Sequence, residues 1–597
     1  MLEVRSPVQG TVVRTAAVGA ALRAGAEVVV IESMKMEHAV DVPEPGTVAE
    51  VLVEVGQIVQ AGDLLARVAP GAAAPDGADD PSPRTSGERA DLAEVRRRHE
   101  IGLDAARPDA VARRRRTGQR TARENLADLL DPGSFVEYGP LVIAAQRRRR
   151  PVEELMKRTP ADGLVGGTGT VGGHPVVAMS YDYTVLAGTQ GVQNHRKKDR
   201  LFELAERQRL PVVLFAEGGG GRPGDTDGIG VSGLDTLAFH LFARLSGLVP
   251  LVGIASGRCF AGNAALLGCC DVVIATEGTN IGMGGPAMVE GGGLGTFPPE
   301  AIGPMDVQVP NGVVDVLVPD EAAAVAVAKQ YLGYFHGPTD DWEAPDPDAA
   351  RTAVPERRLE VYDVRRAIEA IADVGSVLEL RPAFGEGMVT ALARVEGRPL
   401  GIVANNPTHL GGAIDADGAD KAARFLQLCD GHDLPVLFLC DTPGIMVGPD
   451  AEATALVRHV SRLFVTGANL SVPTGTIVLR KGYGLGAQAM AGGTFKAPLF
   501  CVAWPTGEVG GMGLEGAVRL GYRKELEAIE DPEERERTFR EMVDRMYEHG
   551  KAISSASHFE IDDVIDPADS RRWIASAFAA APTSPRTGKK RPHIDTW

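Results

Sequence analysis

The chain has 597 residues, of which 44% are hydrophobic and 24% are charged. This length exceeds what one hydrophobic core organises, so the sequence predicts two to four domains. The formal net charge of −18 argues against nucleic acid as a principal partner, because binding phosphates needs a local excess of Lys and Arg. Two arginine runs, residues 113–116 and 147–150, are exceptions and are predicted to be solvated surface.

The N-terminus lacks a basic segment followed by an apolar stretch, and no apolar run reaches the roughly 18 to 20 residues that span a bilayer. We therefore expect a cytoplasmic protein without a membrane segment. The six cysteines include no Cys-x-x-Cys pair, which favours buried reduced thiols over a structural metal site.

Residues 1–70 alternate Val, Leu and Ile with small and polar residues between glycine-containing turns, as short half-buried strands do. They also repeat. Gly10-Thr11-Val12 recurs as Gly46-Thr47-Val48, and Gly19 recurs as Gly56. The pattern predicts a small all-β domain, residues 1–70, made of two similar halves.

A single lysine, Lys35, stands between Met34 and Met36 where the two halves meet. A lysine at such a hairpin tip is exposed, and flexible methionines suit recognition by a modifying enzyme. The arrangement resembles the biotin carboxyl carrier and lipoyl domain family, in its Met-Lys-Met biotin version. The resemblance implies biotin joined covalently to Lys35 by a biotin protein ligase. Lipoate and an unmodified surface lysine are the alternatives, and Ser33 stands where the family most often has alanine.

Residues 71–89 contain many Pro, Gly, Ala and Asp residues and almost no large apolar side chain. This composition predicts a flexible linker. A carrier that visits two active sites needs a tether, although composition alone is equally compatible with a simple domain junction.

The rest of the chain alternates β-branched runs with helical stretches and repeats at an offset of 223 to 224 residues. Gly173-His174-Pro175-Val176 matches Gly397-Arg398-Pro399-Leu400, and Leu210-Pro211-Val212 matches Leu434-Pro435-Val436. The repeat predicts two copies of one α/β fold, as domains 90–345 and 346–597.

In each copy a Val-rich strand leads into a turn of small residues and then a helix. Phe260-Ala261-Gly262-Asn263-Ala264 falls opposite Tyr483-Gly484-Leu485-Gly486-Ala487. Such a turn aims backbone N–H groups at a negatively charged oxygen, and small residues let the ligand approach the backbone. Tight helix packing is the alternative explanation for each turn.

Several further segments together resemble the acyl-CoA carboxyltransferase family of propionyl-, methylcrotonyl- and long-chain acyl-CoA carboxylases. They include Thr121-Ala122-Arg123-Glu124-Asn125-Leu126, Asp420-Lys421-Ala422-Ala423-Arg424-Phe425, Asp441-Thr442-Pro443-Gly444 and Ala503-Trp504-Pro505-Thr506. The resemblance covers nearly all of residues 90–580. It implies two crotonase-like domains of β-β-α superhelix type, in agreement with the duplication.

The resemblance also implies roles for individual positions. The N–H groups near Ala261 and Gly262 would hold the thioester oxygen of acyl-CoA, and those of Leu485 and Gly486 would hold the biotin oxygen. The substrate pocket would include three further residues, Gly219, Gly220 and Gln488. The family usually has glycine at the position of Leu485, so close approach of biotin is in question there.

The function implied is that of the carrier and carboxyltransferase component of a biotin-dependent acyl-CoA carboxylase. It would move a carboxyl group from N-carboxybiotin on Lys35 to the α-carbon of an acyl-CoA. The family forms its active site between subunits, in dimers that assemble into a hexamer. Because no Gly-x-x-x-x-Gly-Lys-Ser/Thr loop is found, a separate ATP-dependent biotin carboxylase is expected.

Three alternatives remain open at this point. A biotin-dependent decarboxylase would run the transfer backwards with a membrane partner. An inactive carrier or scaffold would result if Leu485 closed the biotin site, and a cofactor-free hydratase would ignore Lys35. His409 and His459 are candidate acid–base groups, although a histidine held by neighbouring hydrogen bonds is the commoner case.

Overall fold

The computed structural model describes residues 1–71, 88–227, 234–580 and 593–597. Most of the predicted linker, residues 72–87, lies outside the described residues. The chain divides into two compact units, Met1–Val95 and Arg96–Trp597. Within the described ranges, no helix is long and apolar enough to cross a membrane.

The first unit contains eight strands in two four-stranded antiparallel sheets, with orders β1-β8-β6-β3 and β5-β4-β2-β7. The strands are β1 Leu2–Arg5, β2 Gly10–Thr15, β3 Ala21–Leu22, β4 Glu27–Ser33, β5 Met36–Asp41, β6 Gly46–Val51, β7 Ile58–Val59 and β8 Leu64–Pro70. Valine, isoleucine and leucine side chains on the inner faces of these strands form the core.

The two predicted halves of this unit are confirmed. Gly10 begins β2 and Gly46 begins β6, and a Cβ at either position would overlap a backbone carbonyl, that of Glu32 or that of Ala69. The halves also exchange equivalent hydrogen bonds: the N–H of Gly56 donates to the carbonyl of Val12 at 2.7 Å, and that of Gly19 to Val48 at 2.8 Å. The absence of a side chain at Gly10 and at Gly46 therefore allows the strands of each half to cross closely, as the repeat requires.

The second unit begins within helix α1 Ala90–Glu100 and contains two large sheets, one from each copy of the repeat, and a two-stranded sheet of the first copy. The strands of the first copy are β9 Val136–Glu137, β10 Leu164–Val171, β11 His174–Tyr181, β12 Val212–Phe215, β13 Leu251–Ala255, β14 Arg258–Phe260, β15 Val272–Thr276, β16 Asn280–Gly282 and β17 Val316–Val318. Its helices are α2 Pro108–Arg116, α3 Ala122–Leu129, α4 Val152–Arg158, α5 Val192–Gln208, α6 Ala238–Ala243, α7 Gly262–Gly268, α8 Pro286–Gly291, α9 Met305–Gln308 and α10 Glu321–Gly333.

The strands of the second copy are β18 Leu378–Leu380, β19 Met388–Val395, β20 Arg398–Asn405, β21 Val436–Thr442, β22 Thr474–Tyr483, β23 Phe500–Ala503, β24 Glu508–Gly510 and β25 Asp563–Val564. Its helices are α11 Pro347–Thr352, α12 Arg365–Ile371, α13 Ala416–Gly431, α14 Pro449–Ala453, α15 Leu456–Ala468, α16 Gly484–Ala489, α17 Leu514–Gly521, α18 Arg523–Glu527, α19 Pro532–Gly550, α20 Ala552–Ser557 and α21 Ser570–Ala580.

The duplication is confirmed by sheet order and register. The first sheet runs β17-β15-β13-β12-β11-β10-β9 and the second runs β25-β23-β22-β21-β20-β19-β18. In both, one antiparallel hairpin is followed by parallel strands. The long strand β22 corresponds to β13 and β14 together, since its last residues pair with β24 as β14 pairs with β16. Both predicted turns consequently follow the same strand of the fold.

The two copies pack directly on each other through buried polar groups. Arg381 of the second copy pairs with Asp315 of the first at 2.9 Å, and both side chains are almost fully buried. Arg424 on α13 donates to the backbone carbonyls of Cys270 and Asp271 in the first copy. The relative placement of the two copies therefore depends on charged groups whose partners lie in the other copy.

We expect Arg381→Met to destabilise the protein by about 3 to 5 kcal/mol, because it leaves the Asp315 carboxylate buried without its closest cationic partner. The thermal unfolding midpoint should fall by several degrees in circular dichroism. The control is Arg540→Met on α19, which removes an exposed ion pair with Glu536 and should change the midpoint little. Equal shifts for the two variants would contradict this account of the interface.

Candidate functional site

Lys35 lies at the tip of the hairpin between β4 and β5. Ser33 pairs with Met36, so the loop has two residues, Met34 and Lys35, with φ of 52° and 66°. A two-residue hairpin loop matches the twist of its strands when both residues have positive φ, which non-glycine residues adopt only at a cost of about 1 to 2 kcal/mol each. The strained loop displays an exposed lysine between exposed methionines, Met34 being 95% exposed.

The first turn, residues 260–264, joins β14 to α7. Ala261 has φ of 53°, and its N–H already donates to the carbonyl of Gly282 at 3.0 Å. Gly262 is the first residue of α7, so no helical carbonyl accepts its N–H. The structure thus offers the Gly262 N–H to a ligand and commits that of Ala261 to the fold.

Glycines surround this N–H group. A Cβ on Gly262 would lie 3.0 Å from Oε1 of Gln190, and a Cβ on Gly220 would lie 2.6 Å from Cβ of Ala261. Gly220 is buried with φ of 83°, whereas the neighbouring Gly219 is exposed. Of the two glycines predicted for the substrate pocket, Gly220 therefore lies against the first turn, whereas a Cβ on Gly219 would meet only Thr189, at 3.5 Å.

The second turn, residues 483–487, joins β22 to α16. Gly484 has φ of 56° and occupies the place that Ala261 occupies in the first copy. Leu485 and Gly486 are the second and third residues of α16, so their N–H groups also lack helical acceptors. A Cβ on Gly486 would lie 2.7 Å from Cα of Gly444, which explains the glycine at each of these positions.

A cavity of about 890 Å³ opens beside the second turn. Leu485 and Gln488 line it, and the Leu485 side chain is 60% exposed at its edge without filling it. Titratable and polar groups complete the lining: Lys496, His549, His558 and Glu560. All of the lining residues lie between 482 and 560, so among the described residues the second copy alone builds this cavity.

A buried carboxylate lies beneath each turn. Asp441 accepts hydrogen bonds from the Tyr362 hydroxyl at 2.8 Å and from Nε of Arg480 at 3.1 Å. In the first copy, Glu217 accepts two hydrogen bonds from Arg114, and burial raises the pKa of Glu217 to about 7 against the opposing effect of that guanidinium. The prediction that residues 113–116 are all solvated is therefore wrong for Arg114, which is buried to form this pair.

A smaller cavity of about 370 Å³ lies at the rim of the first copy. Four cationic side chains line it, those of Arg107, Arg113, Lys157 and Arg158, together with Asp109, Thr184 and Leu186. Arg107 is paired with Asp182 at 2.6 Å and Arg158 with Glu154 at 2.8 Å. Leu186 begins the tight turn that ends at Gly188, whose carbonyl accepts a hydrogen bond from Asn263 at 3.1 Å. A basic cavity therefore stands close to the first turn.

The two histidines considered from sequence lie away from the cavity beside the second turn. Nδ1 of His459 is 2.5 Å from the carboxylate of Asp420, which joins α15 to α13. Nε2 of His409 is 3.5 Å from Asp415. Gln190 and the side chain of Asn263, both beside the first turn, received no role from the sequence. Comparing the two copies position by position would have shown both as polar residues opposite Ile414 and Gly486.

Comparison with known proteins matches two family models to the chain. The carboxyl transferase domain matches residues 113–594, and the biotin-requiring enzyme domain matches residues 2–68. The methylmalonyl-CoA carboxyltransferase 12S subunit of Propionibacterium freudenreichii subsp. shermanii is 33% identical over 523 residues, covering 84% of this chain and 95% of the relative.

Two solved structures extend the comparison. The structure of a single-chain, multi-domain long-chain acyl-CoA carboxylase is 60% identical, with a TM-score of 0.80 over 96% of this chain. This chain spans only 56% of the length of that protein. The transcarboxylase 12S hexamer with methylmalonyl-CoA and methylmalonic acid bound is 32% identical, with a TM-score of 0.72, and the match covers 85% of this chain and 97% of the other.

Proposed function

The chain belongs to the carboxyl transferase family and carries a biotin-requiring domain, and we propose that it transfers a carboxyl group from biotin on Lys35 to an acyl-CoA. It is a biotin-dependent carboxyltransferase with covalently attached biotin, the component type found in acyl-CoA carboxylases. The observation that carries the residue assignment is the pair of equivalent turns, each presenting unused N–H groups at a helix start.

The residues present fit biotin at both of its proposed positions. The ε-amine of Lys35 is exposed on a hairpin tip, as amide formation by a ligase requires. The cavity beside the second turn remains open next to Leu485, which argues against an inactive scaffold closed by that side chain. Bound biotin supplies a ureido nitrogen that carries the carboxyl group.

The two turns have distinct proposed roles. The Gly262 N–H holds the thioester oxygen of acyl-CoA while negative charge grows on it, and the N–H groups of Leu485 and Gly486 hold the biotin oxygen. One such donor in a site that excludes water contributes about 3 to 4 kcal/mol to the transition state. Backbone donors suffice for this chemistry, which explains why the informative residues are glycines and alanines. Gly219, Gly220 and Gln488 are proposed to border the acyl group.

The basic cavity of Arg107, Arg113, Lys157 and Arg158 is proposed to hold the phosphates of CoA. Guanidinium and ammonium groups bind phosphate oxygens well. The acyl group is proposed to be a long chain, on the strength of 60% identity to the long-chain acyl-CoA carboxylase over 96% of the chain.

The active site is proposed to form between subunits of a hexamer, an assembly that the transcarboxylase 12S structure has. The cavity at the second turn has no wall from the first copy among the described residues. Apolar side chains near both turns are solvent-exposed in one chain, including Met283 and Met288 near the first and Ile553 near the second. Exposed apolar groups of this kind mark protein interfaces.

The wider proposal includes a separate ATP-dependent biotin carboxylase and a biotin protein ligase as partners. The proposed domains are residues 1–70, 90–345 and 346–597, with residues 71–89 as the linker. A cytoplasmic location accords with six cysteines that are all unpaired.

Lys35→Arg should abolish biotin attachment and every carboxyl transfer that uses biotin attached to the chain, while leaving the thermal unfolding midpoint almost unchanged, because an exposed tip residue contributes little packing. Streptavidin blotting and intact-protein mass measure attachment. Lys524→Arg, at an exposed lysine on α18, is the control and should keep both properties. Biotin found on the Lys35→Arg chain would refute the assignment.

Mixed oligomers test where the active site forms. Gly262→Trp should block the first turn and Gly486→Trp the second, so each variant alone should be inactive. After subunit exchange, about a quarter of wild-type activity should return, because half of the dimers then contain one site built from two undamaged copies. Verified mixed dimers without activity would place both turns of one site in the same subunit.

A further inference from the structure

A buried chain of polar side chains runs through the first copy to the first turn. Lys198 on α5 is fully buried, and its Nζ donates to the hydroxyl of Tyr181 at 3.0 Å. The same hydroxyl accepts a hydrogen bond from Nε2 of Gln190 at 3.1 Å. Nε2 of Gln190 also donates to the amide oxygen of Asn263, the residue directly after Gly262.

The far end of this chain fixes the backbone around the first turn. Asn263 donates from Nδ2 to the carbonyls of Gly188 and Glu217, at 3.1 and 2.6 Å. The backbone N–H of Gln190 donates to the carbonyl of Gly220 at 2.6 Å, and its Oε1 lies beside Gly262. Gln190 therefore contacts both Gly262, within the first turn, and Gly220, which lies against that turn.

The near end of the chain carries a free-energy cost. The Lys198 amine lies in the core with a phenol oxygen as its hydrogen-bond acceptor, and desolvation lowers its pKa to about 7. The negative charges of Asp199 and Asp162 act in the opposite direction and raise the pKa of Lys198. Two further basic groups, His195 and Arg222, lie in the same neighbourhood, since the charges of Lys198 and Arg222 both lower the pKa of His195. A core lysine held this way is retained only if something other than packing requires it.

The second copy shows that the fold itself does not require it. Ile414 occupies the place of Gln190 there: its N–H donates to the carbonyl of Gly444 at 3.0 Å, as that of Gln190 donates to Gly220. The parallel bridges Gln190 with Gly221 and Ile414 with Ile445 are equivalent as well. At the offset of 223 to 224 residues, all four side chains of this hydrogen-bonded series differ in the second copy. In the order Tyr181, Gln190, Lys198 and Asn263, they are replaced there by Asn405, Ile414, Ala422 and Gly486.

The neighbouring lysine gives the opposite comparison. Lys197 of the first copy corresponds to Lys421 of the second, and both are buried with Nζ on backbone carbonyls, those of Leu164 and Gly139 in one copy and of Arg381 and Phe384 in the other. A lysine needed by the scaffold is thus present in both copies. Lys198, present only in the first, serves something that only the first copy does.

We propose that Lys198, Tyr181 and Gln190 are positioning residues that hold Asn263, and through it the Gly262 N–H, in line with the oxygen that gains charge as the acyl-CoA enolate forms. The proposal rests on the proposed function of the first turn. The Ala261 N–H is already committed to Gly282, so the Gly262 N–H has to be held at the correct angle to stabilise an oxyanion.

The test replaces residues by those of the second copy. Gln190→Ile should lower kcat for carboxyl transfer by about 10- to 100-fold, with KM for acyl-CoA within about twofold, since the donor is misaligned only for the charged state. Tyr181→Phe, which removes only the hydroxyl that joins Lys198 to Gln190, should also lower kcat. Gln208→Ile, at the exposed end of α5, the helix that starts two residues after Gln190, is the matched control and should keep wild-type kcat.

A binding measurement separates positioning from general damage. A nitroalkyl thioether of CoA, whose nitronate oxygens imitate the enolate, should bind Gln190→Ile at least about tenfold more weakly than wild type. CoA itself, which lacks the oxygen, should bind both equally.

Unchanged kcat in folded Gln190→Ile, or a raised KM with unchanged kcat, would overturn the proposal. If Gln190→Ile does not fold, Tyr181→Phe decides by the same criterion. Absence of transfer by the wild-type chain would instead refute the proposed function.

Discussion

The proposed function places one constraint on the structure: a backbone N–H at the start of a helix has to reach an oxygen of a bound ligand. The helix start leaves such groups without acceptors, but a side chain at the same place would keep the ligand away. The chain meets this constraint twice, with positive φ at Ala261 and at Gly484 and with glycines packed against each turn. The strands before the turns, the buried carboxylates beneath them and the small residues around them all serve this arrangement.

The two copies support their turns by different side chains. Arg480, in the strand before the second turn, pairs with Asp441, whereas Gly257 stands at the matching place in the first copy and Arg114 of α2 pairs with Glu217 from another direction. A Cβ at Gly257 would lie 2.5 Å from the Glu217 carboxylate, so the helix supplies a guanidinium for which the strand has no room. The two copies therefore share one backbone fold but differ in the side chains that pair beneath their turns. This difference is consistent with the proposal that the two turns hold two different oxygens.

Structural features that depend on residues close together in the sequence, or on a repeated pattern, could be predicted. The Lys35 hairpin, the two halves around Gly10 and Gly46, and the offset that relates the turns are local patterns, and the structure confirms these elements. Side-chain contacts between distant segments could not be predicted. Arg114 belongs to a run of four arginines and was expected in solvent, because only the fold brings it to Glu217, 103 residues away. Gln190, just before α5, and Lys198, within α5, show no unusual pattern in the sequence until the two copies are aligned in register.

The central claim is that these 597 residues transfer carboxyl groups between acyl-CoA and biotin by themselves. Incubation of the purified chain with free biotin and carboxylated acyl-CoA esters, without ATP, tests it most directly. We predict that the carboxylated ester is converted to acyl-CoA only when biotin is present, at a rate that Gly262→Trp abolishes. Conversion that is independent of biotin, or no conversion of short- or long-chain esters by a correctly folded chain, would contradict the account.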